Sequence, residues 1–309
     1  MAKAMKKIMN DVQNIVQDML HGFYFEHNDK VNYDETNNII YVKDIEKLKQ
    51  DVAIISGGGS GHEPADIGYV GKGMLTAAVN GSIFTPPTVE QIVAAEQIAK
   101  EEGREIDHII VNDDVSIEDD ASFTKRRRGV AGTVFVQKIL GAAALEGHSL
   151  EELTTLGCSV TENLHTLGVA LSPANDPVKG QASFTLNEDE VFYGVGIHGE
   201  KGYRKEALSS SEILAIELMN KLKSIYRWRK GDNFAILING LGATPLMEQY
   251  IFANDIRRLC ELEGLQITFV KVGTLLTSLD MKGVSLSLLK IEDWDWVKWL
   301  KADTRVGSW

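Results

Sequence analysis

Residues 52–64 read Val52-Ala53-Ile54-Ile55-Ser56-Gly57-Gly58-Gly59-Ser60-Gly61-His62-Glu63-Pro64. The β-branched run at 52–55 predicts a buried strand, and the glycines after it predict a tight loop that begins at Ser56. Glycine permits positive φ and close backbone approach, so such a loop can surround a small oxygenated molecule with its N–H groups. His62 stands at the end of this loop, where a proton-transfer group is useful. The alternative is a glycine turn that only lets a strand and a helix pack closely.

A second histidine has a similar setting in Gly194-Val195-Gly196-Ile197-His198-Gly199. The neighbouring glycines leave room beside the ring, and a neutral imidazole in such a pocket can act as a nucleophile towards a ketone. A structural role is the commoner fate of a single histidine, and it stays open for His198. Neither His62 nor His198 has a Cys or His partner at zinc spacing, so no metal is predicted.

Composition and charge limit the class of protein. The 309 residues suffice for a large core, in one large domain or two ordinary ones. A formal net charge of −12 argues against a nucleic-acid-binding surface, which needs a basic face. The chain has two cysteines, no secretory signal at its start and no apolar run of the ~18 residues that a membrane span requires. We therefore expect a cytoplasmic protein without disulfides.

Strands alternate with amphipathic helices along the chain, which predicts an α/β fold of two domains, with mixed sheets flanked by helices. The polar stretch 172–183 predicts the boundary, so the N-terminal domain covers residues 1–180 and the C-terminal domain residues 181–309. Thr88 and Gln91 have the spacing of a capping box at the start of a helix. Further strands are predicted at 39–42, 109–111, 234–238, 266–272 and 284–290, and further helices at 11–20, 132–145, 150–164, 211–226 and 246–262.

Three other stretches could carry chemistry. The stretches Asn112-Asp113-Asp114 and Glu118-Asp119-Asp120 could bind magnesium, although acidic residues after a strand are more often turn and cap residues. The basic cluster 125–128 could pair with phosphate, and in so acidic a protein an interface or an internal ion pair is the favoured interpretation. The loop 239–245 could hold a ligand or a partner subunit, and a tight connection is an equal alternative.

The stretches 56–64, 68–74, 127–133, 194–199 and 239–245 together closely resemble the K-type subunit of bacterial dihydroxyacetone kinases, the DhaK family, in the right order over nearly the whole chain. The resemblance implies a homodimer that holds the ketone carbonyl of dihydroxyacetone as a hemiaminal on His198. It implies hydrogen bonds to the substrate from His62 and from the backbone of Gly59, Ser60 and Gly61. The nucleotide of this system is carried by a separate L-type subunit, so no cofactor is expected in this chain.

The chain also departs from this family. Between the residues matching Ala95 and Glu96 the family has a further strand and an Ile-Lys-Asn-Tyr-x-Gly-Asp loop, whose aspartate is the expected general base. Loss of a strand from the middle of a sheet would expose both neighbouring edges and much of the core. We therefore expect that the natural protein has this segment, of about two dozen residues, and that the sequence as printed lacks it.

Smaller departures lie at 126–129, 180–184 and 199–202, where the family has Gly-Arg-Arg-Gly, Gly-Lys-Pro-Ser-Phe and Gly-Glu-Pro-Gly. The ligand-binding half of the pattern is kept, whereas the parts that serve phosphoryl transfer are altered or absent. The first hypothesis is therefore a ligand-sensing coactivator of a DNA-binding transcription factor. The second is a working K subunit that presents dihydroxyacetone to the L-type subunit, with the aspartate as base and His62 assisting.

Overall fold

Helices and strands alternate through the computed structural model, which describes residues 6–45, 52–99, 105–116, 127–198, 200 and 202–309. The helices are α1 (Ile15–His27), α2 (Val89–Ala99), α3 (Thr133–Leu145), α4 (Leu150–Glu162), α5 (Ser211–Tyr226), α6 (Leu246–Glu263) and α7 (Trp294–Lys301). The strands are β1 (Val31–Asp34), β2 (Ile39–Val42), β3 (Ile55–Ser60), β4 (Ala77–Ile83), β5 (Leu164–Ala170), β6 (Asn175–Asp176), β7 (Gln181–Ala182), β8 (Glu190–Tyr193), β9 (Arg204–Ala207), β10 (Asn233–Gly240), β11 (Gln266–Gly273) and β12 (Gly283–Lys290).

The strands form two larger sheets and one small hairpin. The first sheet has the order β1-β2-β4-β3, with β3 parallel to β4 and the other pairs antiparallel. The second has the order β11-β10-β12-β5-β8-β9, in which the β10–β11 pair is parallel and the other pairs are antiparallel. β6 and β7 pair with each other. This confirms the predicted α/β class with mixed sheets and flanking helices.

The division into residues 1–180 and 181–309 stays a prediction. Strand β5 lies before residue 180 and pairs with β12, so the second sheet takes strands from both sides of that boundary. The largest apolar cluster also takes residues from both sides, among them Leu75, Phe135, Leu275 and Trp296.

Several predicted elements form where local chemistry specifies their ends. The capping box at the start of α2 is confirmed, since Thr88 N donates to Gln91 Oε1 at 2.9 Å and Gln91 N to Thr88 Oγ1 at 3.3 Å. Helix α5 has its predicted bounds, and the Ser210 hydroxyl accepts from Ile213 N at its start. In the part of the chain described, no helix is both long and apolar enough to span a lipid bilayer.

Two strand predictions were wrong. The strand predicted at 52–55 is instead β3, which begins at Ile55 and contains the three glycines assigned to the loop. The glycines allow this because β4 runs close beside them: a Cβ on Gly57 would lie 2.6 Å from Val79 O. The strand predicted at 109–111 does not form, since a strand needs a paired neighbour and no strand of the described chain pairs with these residues.

Candidate functional site

His62 lies buried just beyond the end of β3. Gly61, with φ of 101°, turns the chain, and the His62 ring is 5 % exposed. Its Nδ1 lies 2.6 Å from Thr277 O. Because a carbonyl oxygen only accepts, Nδ1 carries the proton and Nε2 keeps a lone pair. That Nε2 is buried without a partner among the described residues.

The electrostatic setting keeps His62 neutral. Burial, and next the neighbouring His198, lower the pKa of His62 to about 4. At neutral pH its Nε2 is therefore an unused acceptor, which suits the hydroxyl group of a ligand.

The structure brings His198 against His62, although they are far apart in the sequence. The ring centroids lie 4.8 Å apart with planes at 86°. Phe84 stacks on His62 at 5.2 Å and lies 6.1 Å from His198, edge-on. Sequence reasoning missed Phe84; its φ of 53°, uncommon for an aromatic residue, is visible only in the structure.

Glu200 fixes the orientation of His198. Its Oε1 lies 3.1 Å from His198 Nδ1, and its Oε2 accepts from the His198 backbone N at 3.0 Å. A carboxylate at Nδ1 selects the tautomer that carries the proton there, which leaves the Nε2 lone pair free. The role of His198 as a nucleophile stays a prediction, with which this free lone pair is consistent.

An ion-pair chain continues behind Glu200. Arg128 Nη1 lies 3.1 Å from Glu200 Oε1, and Arg128 Nη2 lies 2.5 Å from Asp114 Oδ2. Burial alone would raise the pKa of Glu200, but the hydrogen bond from His198 and the charge of Arg128 lower it to about 2. The carboxylate therefore stays charged wherever the protein is folded near neutral pH.

These ion pairs also bear on two of the interpretations that the sequence left open. Asp114 and Arg128, noted as a possible magnesium ligand and a member of the basic cluster, pair with each other. Asp113 accepts from Val130 N and Gly132 N at 2.8 Å each, next to the start of α3. Residues 118–120, 125 and 126 lie outside the described residues, and the described part of the chain contains no cluster of metal-binding side chains.

A cavity of about 90 Å³ opens beside His198 and is covered by the β6–β7 hairpin. It is lined by Phe84, Asp176, Lys179, Gln181, Ala182, Ser183 and His198. A space of this size fits a ligand of only a few heavy atoms. In the sequence, the hairpin residues were noted as part of the predicted domain boundary and as a departure from the family pattern, but not as site residues.

Gly59, Ser60 and Gly61 lie at the end of β3, beside His62. The Ser60 hydroxyl donates to Gly81 O at 2.7 Å, and Gly61 N donates to both Glu63 carboxylate oxygens, at 3.0 and 3.1 Å. These bonds hold the strand end in place. Direct contact of the three residues with a ligand stays a prediction.

The loop predicted at 239–245 is shorter in the structure: Asn239 and Gly240 end β10, and the residues after them connect β10 to α6. Asn239 is fully buried; its Nδ2 donates to Leu276 O at 2.7 Å, and its Oδ1 accepts from Leu275 N and Leu276 N. The segment that it holds continues to Thr277, whose carbonyl orients His62. Asn239 is thus a supporting residue that sequence reasoning did not single out.

The sequence model of one protein family, described as the Dak1 domain, matches residues 21–103 and 93–307. The chain belongs to the Dak1 domain family. The predicted family membership is therefore confirmed over most of the chain. The family model thus matches the chain in two pieces, which overlap at residues 93–103. The break between the two pieces lies at α2.

Dak1 relatives of two kinds are similar to this chain. A Lactococcus lactis protein named "PTS-dependent dihydroxyacetone kinase, dihydroxyacetone-binding subunit DhaK" is 43 % identical, covering 98 % of this chain and 99 % of the relative. The "DhaKLM operon coactivator DhaQ" of the same organism is 44 % identical, covering 98 % of this chain and 100 % of the relative. A solved structure titled "Dihydroxyacetone kinase operon co-activator Dha-DhaQ" has a TM-score of 0.88 at 41 % identity, covering 97 % of this chain and 99 % of that one.

Proposed function

We propose that this chain binds dihydroxyacetone covalently, as a hemiaminal on His198. The observation that carries the proposal is the pairing of His198 Nδ1 with the charged carboxylate of Glu200, at 3.1 Å, which leaves Nε2 free as a nucleophile. The names of the DhaK and DhaQ relatives support the choice of ligand.

In the binding step, the Nε2 lone pair of His198 forms a bond to the carbonyl carbon. The π electrons of the C=O bond move to the oxygen, which takes up a proton from water and becomes a hydroxyl group. The ring becomes a cation whose Nδ1–H stays bonded to the Glu200 carboxylate, so the new charge is neutralised where it arises. His62 Nε2 accepts a hydrogen bond from a hydroxyl of the bound molecule.

Covalent binding also accounts for selectivity. Glycerol has no carbonyl carbon and cannot form the adduct, whereas hydrogen bonds alone would separate the two small polyols less sharply. The cavity of about 90 Å³ excludes longer sugars.

The role that we propose first is that of a ligand sensor, a coactivator of a transcription factor. It is supported by the carboxylates near the cavity. Each of them already bonds another group among the described residues, whereas phosphoryl transfer needs a further carboxylate as the base. Glu200 bonds His198, Glu63 bonds Gly61 N, and Asp176 accepts from Val178 N. With a net charge of −12, such a protein would act through a DNA-binding partner. We propose that it is a homodimer without a cofactor of its own.

The second candidate is a K subunit that presents dihydroxyacetone to an L-type subunit carrying the nucleotide. It is favoured by the likeness to the DhaK relative. This relative is 43 % identical to the chain, only one percentage point less than the DhaQ relative. In this role a further carboxylate would remove the proton from the hydroxyl that is phosphorylated.

Mass spectrometry of the intact protein tests the shared step. Incubation with dihydroxyacetone should add the full mass of the ligand, because a hemiaminal loses no water, and glycerol should add nothing. His198→Ala should abolish the adduct; retention of the adduct in this variant would refute the proposal.

A transfer assay separates the two roles. The protein is mixed with dihydroxyacetone and an L-type subunit loaded with phosphate. Rapid formation of dihydroxyacetone phosphate would rule out the pure sensor, whereas adduct formation without transfer would favour it.

A further inference from the structure

The connection between β11 and β12, residues 274–282, reaches the ligand site. Its four consecutive residues 277–280 each hydrogen-bond a residue of the site or of the hairpin that covers it. Thr277 is 7 % exposed and Ser278 is fully buried. One short stretch of chain therefore contacts several parts of the site that are far apart in the sequence.

Thr277 fixes His62 and the loop around it. The Thr277 carbonyl accepts from His62 Nδ1 at 2.6 Å, and the Thr277 backbone N donates to His62 O at 3.1 Å. The Thr277 hydroxyl lies 3.2 Å from Gly61 O and 3.0 Å from Glu63 O, within donating distance of both. The ring and the backbone beside it are thus bonded to a single residue, which sets both the position and the tautomer of His62.

The next residue, Ser278, holds the loop of the other histidine. Its hydroxyl donates to Ile197 O at 2.5 Å, and Ile197 directly precedes His198. Because Ser278 is fully buried, its hydroxyl depends on this protein partner in place of water. Glu200 sets the tautomer of the His198 ring, whereas the serine bond sets where the His198 loop stands relative to His62.

The two residues after Ser278 bond the same stretch to further parts of the site. Leu279 N donates to Gly61 O at 2.8 Å, and the Asp280 carboxylate accepts from Asn175 N and Nδ2 at 2.8 and 2.9 Å. Asn175 belongs to β6, in the hairpin over the cavity. Leu279 has a φ of 50°, a left-handed conformation that is uncommon for leucine and persists only where the surrounding structure holds it. The stretch is therefore a fixed part of the site.

We propose that Thr277 and Ser278 are positioning residues that hold the two site histidines at the separation that dihydroxyacetone needs. This role rests on the proposed function, in which His198 Nε2 bonds the carbonyl carbon and His62 Nε2 accepts from a hydroxyl of the same molecule. In a three-carbon ligand these two points lie on the same or on neighbouring carbon atoms, so the ring centroids must stay close to their separation of 4.8 Å. A misplacement of about 1 Å can cost roughly a hundredfold in a reaction that depends on orientation.

Ser278→Ala tests this role, with Ser287→Ala as the matched control. Ser287 is equally buried, and its hydroxyl accepts from Thr166 Oγ1 at 2.6 Å, between β12 and β5. We expect the affinity for dihydroxyacetone, measured by calorimetric titration, to fall by about ten- to a hundredfold in Ser278→Ala and to stay unchanged in the control. Urea unfolding should show a loss of stability in both variants, which separates positioning from folding.

Nuclear magnetic resonance of the ligand-free protein gives a measurement that a loss of stability alone does not change. Nuclear Overhauser contacts between the rings of His62 and His198 should be present in the unchanged protein and in Ser287→Ala, and should weaken in Ser278→Ala. Unchanged affinity or unchanged ring contacts in Ser278→Ala would overturn the proposal. An equal loss of affinity in Ser287→Ala would overturn it too.

Thr277→Val keeps the test decisive if Ser278→Ala does not fold. Valine keeps the branched shape and the main-chain carbonyl that orients the imidazole, but it removes the hydroxyl beside Gly61 O and Glu63 O. Thr161→Val is its control, because Thr161 is 8 % exposed and donates to a carbonyl of α4 at 2.8 Å. A loss of affinity and of ring contacts confined to Thr277→Val would support the proposal, and unchanged values would overturn it.

The two proposals fail in different ways. A missing adduct in the unchanged protein would refute the proposed function. The ring contacts, measured without ligand, would still decide whether the two residues hold the histidines together.

Discussion

Glu200→Gln tests whether the carboxylate behind His198 is needed for the adduct. In the structure Glu200 Oε1 lies 3.1 Å from His198 Nδ1, and the two side chains are 38 % and 35 % exposed. Glutamine keeps the shape and one hydrogen bond but removes the charge that neutralises the cationic ring. Its amide can also donate, so it no longer selects the tautomer with the proton on Nδ1.

The size of the effect follows from the exposure of the pair. A hydrogen bond to a charged group contributes about 1.5–3 kcal/mol, and solvent screening reduces this for side chains that are about one-third exposed. Because glutamine retains a neutral hydrogen bond, we expect a loss of about 1–2 kcal/mol, or roughly five- to thirty-fold in affinity for dihydroxyacetone.

Calorimetric titration and the adduct fraction in mass spectra measure this loss, and nitrogen NMR of His198 reports the tautomer. The matched control is Glu206→Gln, which removes a similarly exposed carboxylate that forms an ion pair with Arg204 instead of a histidine. Equal affinity and an unchanged tautomer in the Glu200 variant would show that the carboxylate does not position the nucleophile.

Three further outcomes are expected. The pKa of His62 is lowered from 6.5 to about 4, so its protonation favours the unfolded chain as pH falls through this range, by about 2 kcal/mol at pH 5. Urea unfolding at pH 7 and at pH 5 measures this effect. Between the two pH values, the free energy of unfolding should drop less in His62→Gln than in the unchanged protein. Burial lowers the pKa of Lys138 from 10.5 to about 8, so its charge costs stability below pH 8 and this cost fades up to pH 10.5. Over that range the unfolding free energy should rise relative to Lys138→Met, and a constant difference would contradict the assignment. Gly141→Ala would place a Cβ 2.3 Å from Met74 Cα and should destabilise the folded protein by ~1–3 kcal/mol. In Gly22→Ala the new Cβ meets nothing within 4 Å, and this variant should stabilise the folded protein by about 0.5–1 kcal/mol. Thermal melts measure both changes.

Elements with local end signals were predictable from the sequence. α5 begins after the Ser210 cap and β2 occupies 39–42 as predicted. The strand predicted at 109–111 does not form, for a reason that lies outside its own sequence. Its residues alternate in burial as those of a strand do, but a strand also needs a neighbouring strand, and in the described chain these residues have none.

The site was predictable only in part. His62 and His198 were singled out because each follows glycines that leave space beside a ring, and the structure places their rings side by side. Glu200 was missed as a partner of His198, although it lies two residues away, because a turn decides whether side chains so spaced meet. For the basic cluster the sequence favoured an interface or an internal ion pair, and Arg128 does form an ion pair, with Asp114, a partner that the sequence did not indicate.

The two candidate roles share the site at the carboxyl end of β3. Holding a ketone needs a nucleophile, an anion behind it and an acceptor for a hydroxyl, which His198, Glu200 and His62 can supply. Phosphoryl transfer needs a base in addition. The carboxylates near the ligand already have partners among the described residues, so adduct formation without transfer would assign the sensor role, whereas rapid transfer would require a base that these carboxylates do not supply.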